Sequence, residues 1–314
     1  MSVPDRVGSP DAEAQRTEHR ERRPFLLALL VASRPKQWLK NVLVFAAPAA
    51  AGVLHDSEEA MLTVAAFVSF CLASSGTYLL NDAADAERDR LHHSKRNRPV
   101  AAGDISEATA RFAGALLLAA GCAVGLPLGR PGLSLVVAVY AGLTISYSTW
   151  IKHVPVFDMA AVAGGFLLRA VGGAVAADVP ISSWFFIVAS AGSLFMVAGK
   201  RTAELVELGD RAGEVRPALS AYSDSFLLYV RTLSSGTAVL AYCLWAFEQA
   251  DTNPDGADLY ELSAIPFVLA VLRYALLLDA GRGEAPEDLV LEDRPLLVMA
   301  LVWAVVFAGA VYAG

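Results

Sequence analysis

The chain has 314 residues, 55% of them hydrophobic and only 18% charged, with a mean hydropathy of +0.48. That is too apolar for an ordinary soluble domain, so an integral membrane protein surrounded by membrane lipids is expected. The net charge of −7 hides a strong asymmetry along the chain and by itself selects no partner; no nucleic-acid partner is expected.

Residues 1–23 are polar and rich in Arg and Glu, with no apolar segment ahead of a small-residue cleavage site, so they read as a disordered cytoplasmic tail rather than a signal peptide. One transmembrane catalytic domain over 24–314 follows. Charge-poor runs recur at 38–54, 60–80, 112–129, 131–151, 155–177, 179–199, 226–247, 261–278 and 295–314. Most approach the ~20 residues a spanning helix needs, which gives about nine spans. The first, fifth and eighth are short or interrupted by Asp158, Arg169 and Arg273. Leu, Ala, Val and Gly fill the runs without strand-like alternation, so the expected fold is all-α, a polytopic helical bundle and not a barrel. Cys71, Cys122 and Cys243 fall in different spans and read as buried thiols. The pairs Gly164-Gly165 and Gly172-Gly173 suggest close helix packing.

Basic residues set the orientation, because Lys and Arg in short loops stay cytoplasmic. Eight lie up to Lys40, six in 81–111, one at Lys152, five in 200–231 and two in 279–294, against Arg130 alone on the opposite side. The N-terminus is therefore expected inside a multi-pass plasma-membrane protein, with the polar clusters at 81–98, 147–158 and 200–204 on the cytoplasmic face.

The densest cluster is Asn81-Asp-Ala-Ala-Asp85-Ala-Glu-Arg-Asp89, directly after an apolar run. On a helix Asp82, Asp85 and Asp89 stand at i, i+3 and i+7 and project from one face. Crowded carboxylates need a cation, and Mg²⁺ is usually held by one or two protein carboxylates plus substrate phosphates. A solvated acidic helix end is the bland alternative. Lys95, Arg96 and Arg98 follow within a few residues, suited to gripping a diphosphate, or serving only as the positive-inside signal. His92 and His93 read as loop residues, since no second pair stands at zinc spacing.

Tyr147, Lys152 and Asp158 join the fourth and fifth runs, and Arg169 follows about three turns deeper. Ionisable groups inside a span face the bundle interior and are functional candidates, with an Asp158–Arg169 or Asp158–Lys152 ion pair as the structural alternative. The sixth run ends in Lys200-Arg201-Thr-Ala-Glu204; here the alternative is a surface Lys200–Glu204 pair at i, i+4. Arg34-Pro-Lys-Gln-Trp-Leu-Lys40-Asn41 opens the first run and suits an interfacial anchor first, a site second.

On these residues the chain resembles the UbiA superfamily of intramembrane prenyltransferases. The matching features are Asn81-Asp-x-x-Asp85-x-x-x-Asp89, then Asn97-Arg98-Pro99-x-x-x-Gly103, then Tyr147, Lys152 and Asp158, and the likeness covers 24–314. Aromatic prenyltransferases of that superfamily carry a second motif, D-x-x-x-D, after the sixth span. This chain instead has Lys200, Arg201 and Glu204 and looks like the branch that moves phosphoribose onto decaprenyl phosphate.

The resemblance implies Mg²⁺-dependent transfer of 5-phosphoribose from phosphoribosyl pyrophosphate to a polyprenyl phosphate, releasing diphosphate, as a step towards the donor for cell-wall arabinan. It places the metal on Asp82, Asp85 and Asp89, and catalytic roles on Asp82, Asp85, Asp158, Lys200 and Glu204. Asn81, Lys95, Arg96, Arg98, Tyr147, Lys152, Arg169, Arg201 and Lys40 would bind substrate. The closest rival is prenyl transfer from a prenyl diphosphate to an aromatic acceptor. A transporter would need matched broken helices in two halves, and the chain has none. The oligomeric state stays open, a homo-oligomer included.

Overall fold

The computed structural model describes residues 23–92, 95–209, 217–283 and 286–313, so the expected N-terminal tail lies outside the described residues but for Arg23. Short α1 (Phe25–Ala32) leads into a 3-10 segment, Pro35–Phe45, and α2 (Ala46–Ala50). There follow α3 (Ser57–Ala84), α4 (Ala86–Leu91), α5 (Glu107–Ala123), α6 (Pro131–Thr149) and α7 (Phe157–Ala176). The second half holds α8 (Ser183–Leu208), α9 (Asp224–Thr252), α10 (Ala257–Asp279), α11 (Pro286–Glu292) and α12 (Arg294–Tyr312). The described residues form no strand, as the run composition requires in lipid.

Serine or aspartate ahead of an apolar run starts many of these helices. Asp56, Ser106, Ser182, Ser223 and Asp293 each accept a backbone N–H from the first turn, at 2.8 to 3.2 Å, satisfying a donor the helix itself leaves orphaned.

Among the described residues seven helices are long and apolar enough to cross a membrane: α3, α6, α7, α8, α9, α10 with the turn before it, and α12. The chain is a multi-pass membrane protein. Two of the nine expected spans are not such helices. Residues 38–54 divide into the 3-10 segment and α2, and α5 has 17 residues, roughly 26 Å, ending at Ala123 before Pro127.

The first departure has a packing cause. A Cβ on Gly173 would stand 1.7 Å from the Val44 carbonyl oxygen, so the 3-10 segment lies directly on the backbone of α7. Gly172 likewise abuts the Phe70 ring, whereas Gly164 and Gly165 meet nothing closer than 3.4 Å. Close approach therefore resides in the second pair alone. Gly76 does the same for α3 and α5, its missing Cβ being 2.7 Å from the Gly114 carbonyl oxygen.

Away from the polar clusters, an apolar cavity of about 610 Å³ opens between the 3-10 segment, α2, α8, α9, α10 and α12. Phe45, Phe185, Tyr242, Trp245, Phe267 and Trp303 are among its walls.

Candidate active site

The acidic motif does not lie along one continuous helix. The chain leaves α3 at Asp85 (φ −97°, ψ 4°) and re-enters a helix at Ala86. The break turns Asp85 outward, half-exposed, to Arg88 at 3.3 Å. It carries Asp82 and Asp89 inward, where both are buried and share one guanidinium: Arg98 Nη1 is 2.7 Å from Asp89 Oδ2 and 3.3 Å from Asp82 Oδ1.

A second cation reaches the same carboxylate from 48 residues away. Arg34 Nη2 donates to Asp82 Oδ1 at 2.6 Å, and the guanidinium lies 4.6 Å above the Tyr78 ring. To do so Arg34 adopts left-handed backbone (φ 53°, ψ 61°) between α1 and the 3-10 segment, which costs an L residue roughly 1–2 kcal/mol. Sequence reasoning placed this string as an anchor and missed Arg34; its only signal was a cation beside Pro35 at a membrane boundary. Lys40 of the same string is half-buried on the 3-10 segment.

The second cluster gathers around Arg201, which is 2% exposed near the end of α8. Its Nε donates to Asp158 Oδ2 at 2.9 Å, Nη1 to Glu204 Oε2 at 2.8 Å and Nη2 to Tyr147 Oη at 3.3 Å. Asp158 is wholly buried at the start of α7, and its other oxygen accepts from the Tyr222 hydroxyl. Tyr222 in turn accepts the Val156 N–H at 2.6 Å, where Val156 has positive φ (70°). Burial, and then donation to Asp158, pushes the Tyr222 phenol well above its usual pKa, so it stays a donor. Tyr222 was also missed, being 64 residues from its partner.

Glu204 thus pairs with Arg201 at i+3, and Asp158 pairs with Arg201, not with Arg169 or Lys152. Lys200, inside α8, and Lys152, in the short 3-10 turn between α6 and α7, are both half-buried. The last turn of α6 ties the two clusters together. Asn81 donates to Ser148 Oγ at 2.9 Å, while its neighbour Tyr147 receives Arg201. Lys95 is half-buried and Arg96 exposed on the turn before Arg98, and His93 lies outside the described residues.

Arg169 stands apart from both clusters. Its guanidinium is held by neutral groups, the Asn41 side chain at 2.7 Å, the Gly165 carbonyl at 2.7 Å and the Tyr140 hydroxyl at 2.9 Å, and it lies over the Tyr140 ring. Asn41 completes the chain of bonds by donating to Cys71 Sγ at 3.2 Å. This network pins the 3-10 segment to α7.

Among the described residues no three His, Cys, Asp or Glu side chains converge as a complete protein-built metal site would. Asp82 and Asp89 nevertheless meet around a single guanidinium, and two carboxylates are the usual protein share for magnesium when phosphate oxygens supply the rest. The donor set fits the ion.

The UbiA prenyltransferase family model matches residues 41–290. A decaprenyl-phosphate phosphoribosyltransferase from Mycolicibacterium smegmatis is 43% identical over 295 residues, covering 90% of this chain and 92% of its own. One from Mycobacterium tuberculosis H37Rv is 44% identical over 288 residues, covering 90% and 94%. Among solved structures, a UbiA homologue from Archaeoglobus fulgidus bound to GPP and Mg²⁺ superposes with a TM-score of 0.65 at 17% identity, covering 90% of this chain and 99% of that one.

Proposed function

The chain belongs to the UbiA prenyltransferase family, and from that premise we propose that it transfers 5-phosphoribose from phosphoribosyl pyrophosphate to a polyprenyl phosphate, decaprenyl phosphate in its relatives' names, releasing diphosphate. The product would lead to the arabinose donor for cell-wall arabinan. The observation that carries this reading is the likeness, over nine-tenths of the chain, to relatives named for that reaction. The end of α8 supplies a physical reason. Both substrates bring phosphates beyond the diphosphate, and Lys200 stands where an aromatic prenyltransferase carries a second carboxylate pair; Arg201 beside it, expected as a phosphate ligand, is instead buried and spent on Asp158, Glu204 and Tyr147.

Magnesium held by Asp82 and Asp89, with Asp85 at the rim, would supply positive charge to the diphosphate as it leaves. Arg34 and Arg98 bind the same group, each offering a fork that matches phosphate oxygens. Lys95, Lys152 and Lys200 bind the remaining phosphates. Asn81, fixed by Ser148, orients the acidic helix end. An oxygen of the acceptor phosphate attacks C1 of the ribose as the C1–O bond to diphosphate breaks. That oxygen is already ionised near neutral pH, so no general base is required.

Glu204, 18% exposed with one oxygen held by Arg201, faces the positive charge that develops at the sugar, by analogy with other glycosyl transfers. Arg201 and Asp158, enclosed and bonded to one another, act as positioning residues for Glu204 and Tyr147. Arg169 holds the fold around the site. The lipid chain lies in the apolar cavity, where its methylenes stay out of water. The reaction faces the cytoplasm, where the basic loops lie.

Membranes containing the protein, given labelled phosphoribosyl pyrophosphate, should yield labelled lipid on extraction. Label entering lipid-soluble product only from a prenyl diphosphate and an aromatic acceptor would overturn the proposal.

A further inference from the structure

Among the described residues, Arg231 is a buried cation that neither this chemistry nor a hydrogen-bonded network uses. It groups by sequence with the basic 200–231 loop, yet it stands about two turns inside α9. It is 9% exposed, its Nε has no hydrogen-bond partner, and among the described residues no carboxylate stands within ion-pairing distance of it. The other buried arginines are saturated, Arg201 by Asp158, Glu204 and Tyr147, and Arg169 by Asn41, Gly165 and Tyr140. A desolvated guanidinium without an anion is unfavourable, so this position calls for one.

Its surroundings indicate which. Leu227 and Val230 beside it pack on Met159, Val197 and Ala198, next in the fold to Asp158 and Arg201. Eleven, fourteen and eighteen residues further along α9, close to whole numbers of turns, the same face presents Tyr242, Trp245 and Gln249 to the apolar cavity. The first of these is roughly 16 Å from Arg231 along the axis. Arg231 thus stands between the Asp158–Arg201 cluster and the cavity.

We propose that Arg231 grips the phosphate of the acceptor lipid, with the polyprenyl chain running from it along this face of α9 into the cavity. The proposal rests on the phosphoribosyl-transfer reading. Phosphate monoester and guanidinium match as a bidentate, charge-assisted pair. The donor's 5-phosphate has the same chemistry, but a water-soluble sugar has no use for an apolar cavity along the same helix face.

The test uses the purified full chain in nanodiscs, with Arg231→Met and Arg231→Lys. Without substrate, Arg231→Met should keep or raise the unfolding midpoint, because it removes an uncompensated charge. Farnesyl phosphate should raise the wild-type midpoint and leave that of Arg231→Met unmoved, while farnesol, lacking the phosphate, should act on both alike. In turnover the KM for polyprenyl phosphate should rise ~10- to 100-fold at unchanged KM for phosphoribosyl pyrophosphate. Arg231→Lys, which keeps the charge but loses the fork, should fall between. Equal response of wild type and Arg231→Met to farnesyl phosphate would overturn the proposal. So would a rise in the donor's KM instead, which would give Arg231 to the 5-phosphate, or a lowered substrate-free midpoint with acceptor KM unchanged, which would make it structural. Arg231-dependent binding of farnesyl phosphate without phosphoribosyl transfer would refute the parent reading and leave the phosphate anchor standing.

Discussion

Removing Arg201 from the centre of its cluster separates fold from chemistry. The guanidinium is 2% exposed and bonds Asp158 at 2.9 Å, Glu204 at 2.8 Å and Tyr147 at 3.3 Å. In Arg201→Met the wholly buried Asp158 keeps only Tyr222 as a side-chain partner. Breaking a buried pair from one side costs about 3–5 kcal/mol, chiefly from the charge left behind. The double variant Arg201→Met/Asp158→Asn removes both charges and should regain about 2–3 kcal/mol of that. At ~2–4 °C per kcal/mol, the single variant loses about 10 °C in Tm and the double recovers roughly half. Activity should not follow stability. Glu204 and Tyr147 lose their shared anchor in both variants, so turnover drops ~100-fold in each. Thermal unfolding in nanodiscs, alongside initial rates of lipid-linked phosphoribose formation, measures the two effects. A double variant no more stable than the single one would refute the coupling, and one that regained turnover as well would refute the positioning role.

Other expectations follow from the same contacts. Asp82→Ala should abolish transfer at saturating magnesium while circular dichroism stays helical; retained turnover would remove the metal assignment. Lys200→Ala should lower turnover with an unchanged unfolding midpoint, and normal kinetics would make it a surface residue. Gly173→Ala drives a methyl group into the Val44 carbonyl and should cost about 1–3 kcal/mol, while Gly164→Ala, 3.4 Å from a Leu143 side-chain atom, should be near neutral; equal midpoints would contradict the packing argument. Asp293 is held at a pKa of about 2, first by Arg273 at 2.8 and 3.0 Å and then by the Leu296 N–H. Because the folded value is lowered from the usual 3.8, its stabilisation is complete above that pH and disappears as pH falls towards 2. The Tm gap between wild type and Asp293→Asn should therefore close across that window, and a gap constant with pH would exclude the ion pair as its source.

The all-α membrane fold follows from run length and composition, which hydrophobicity alone governs. Nine charge-poor runs became seven long apolar helices among the described residues: run 38–54 divides because hydropathy does not register Pro35 and Pro48 or the seating of the 3-10 segment on Gly173, and run 112–129 falls short because α5 stops after 17 residues, before Pro127. The acidic motif was visible as charge density at a membrane boundary. Its break at Asp85 was not, since every residue around it tolerates a helix and the turn goes with Asp82 and Asp89 meeting on Arg98. Arg34, Tyr222 and Arg231 escaped notice for one reason. Each is defined by what lies beside it in space, and those neighbours are dozens of residues away or belong to a helix face whose partner the sequence does not name.

The most direct measurement is diphosphate release by purified protein in nanodiscs, counted against lipid-linked phosphoribose formed. One diphosphate per product, requiring both phosphoribosyl pyrophosphate and polyprenyl phosphate and abolished by chelation, is the predicted result. Release that ignores the ribosyl donor, persists in chelator, or depends on a prenyl diphosphate with an aromatic acceptor would contradict the account.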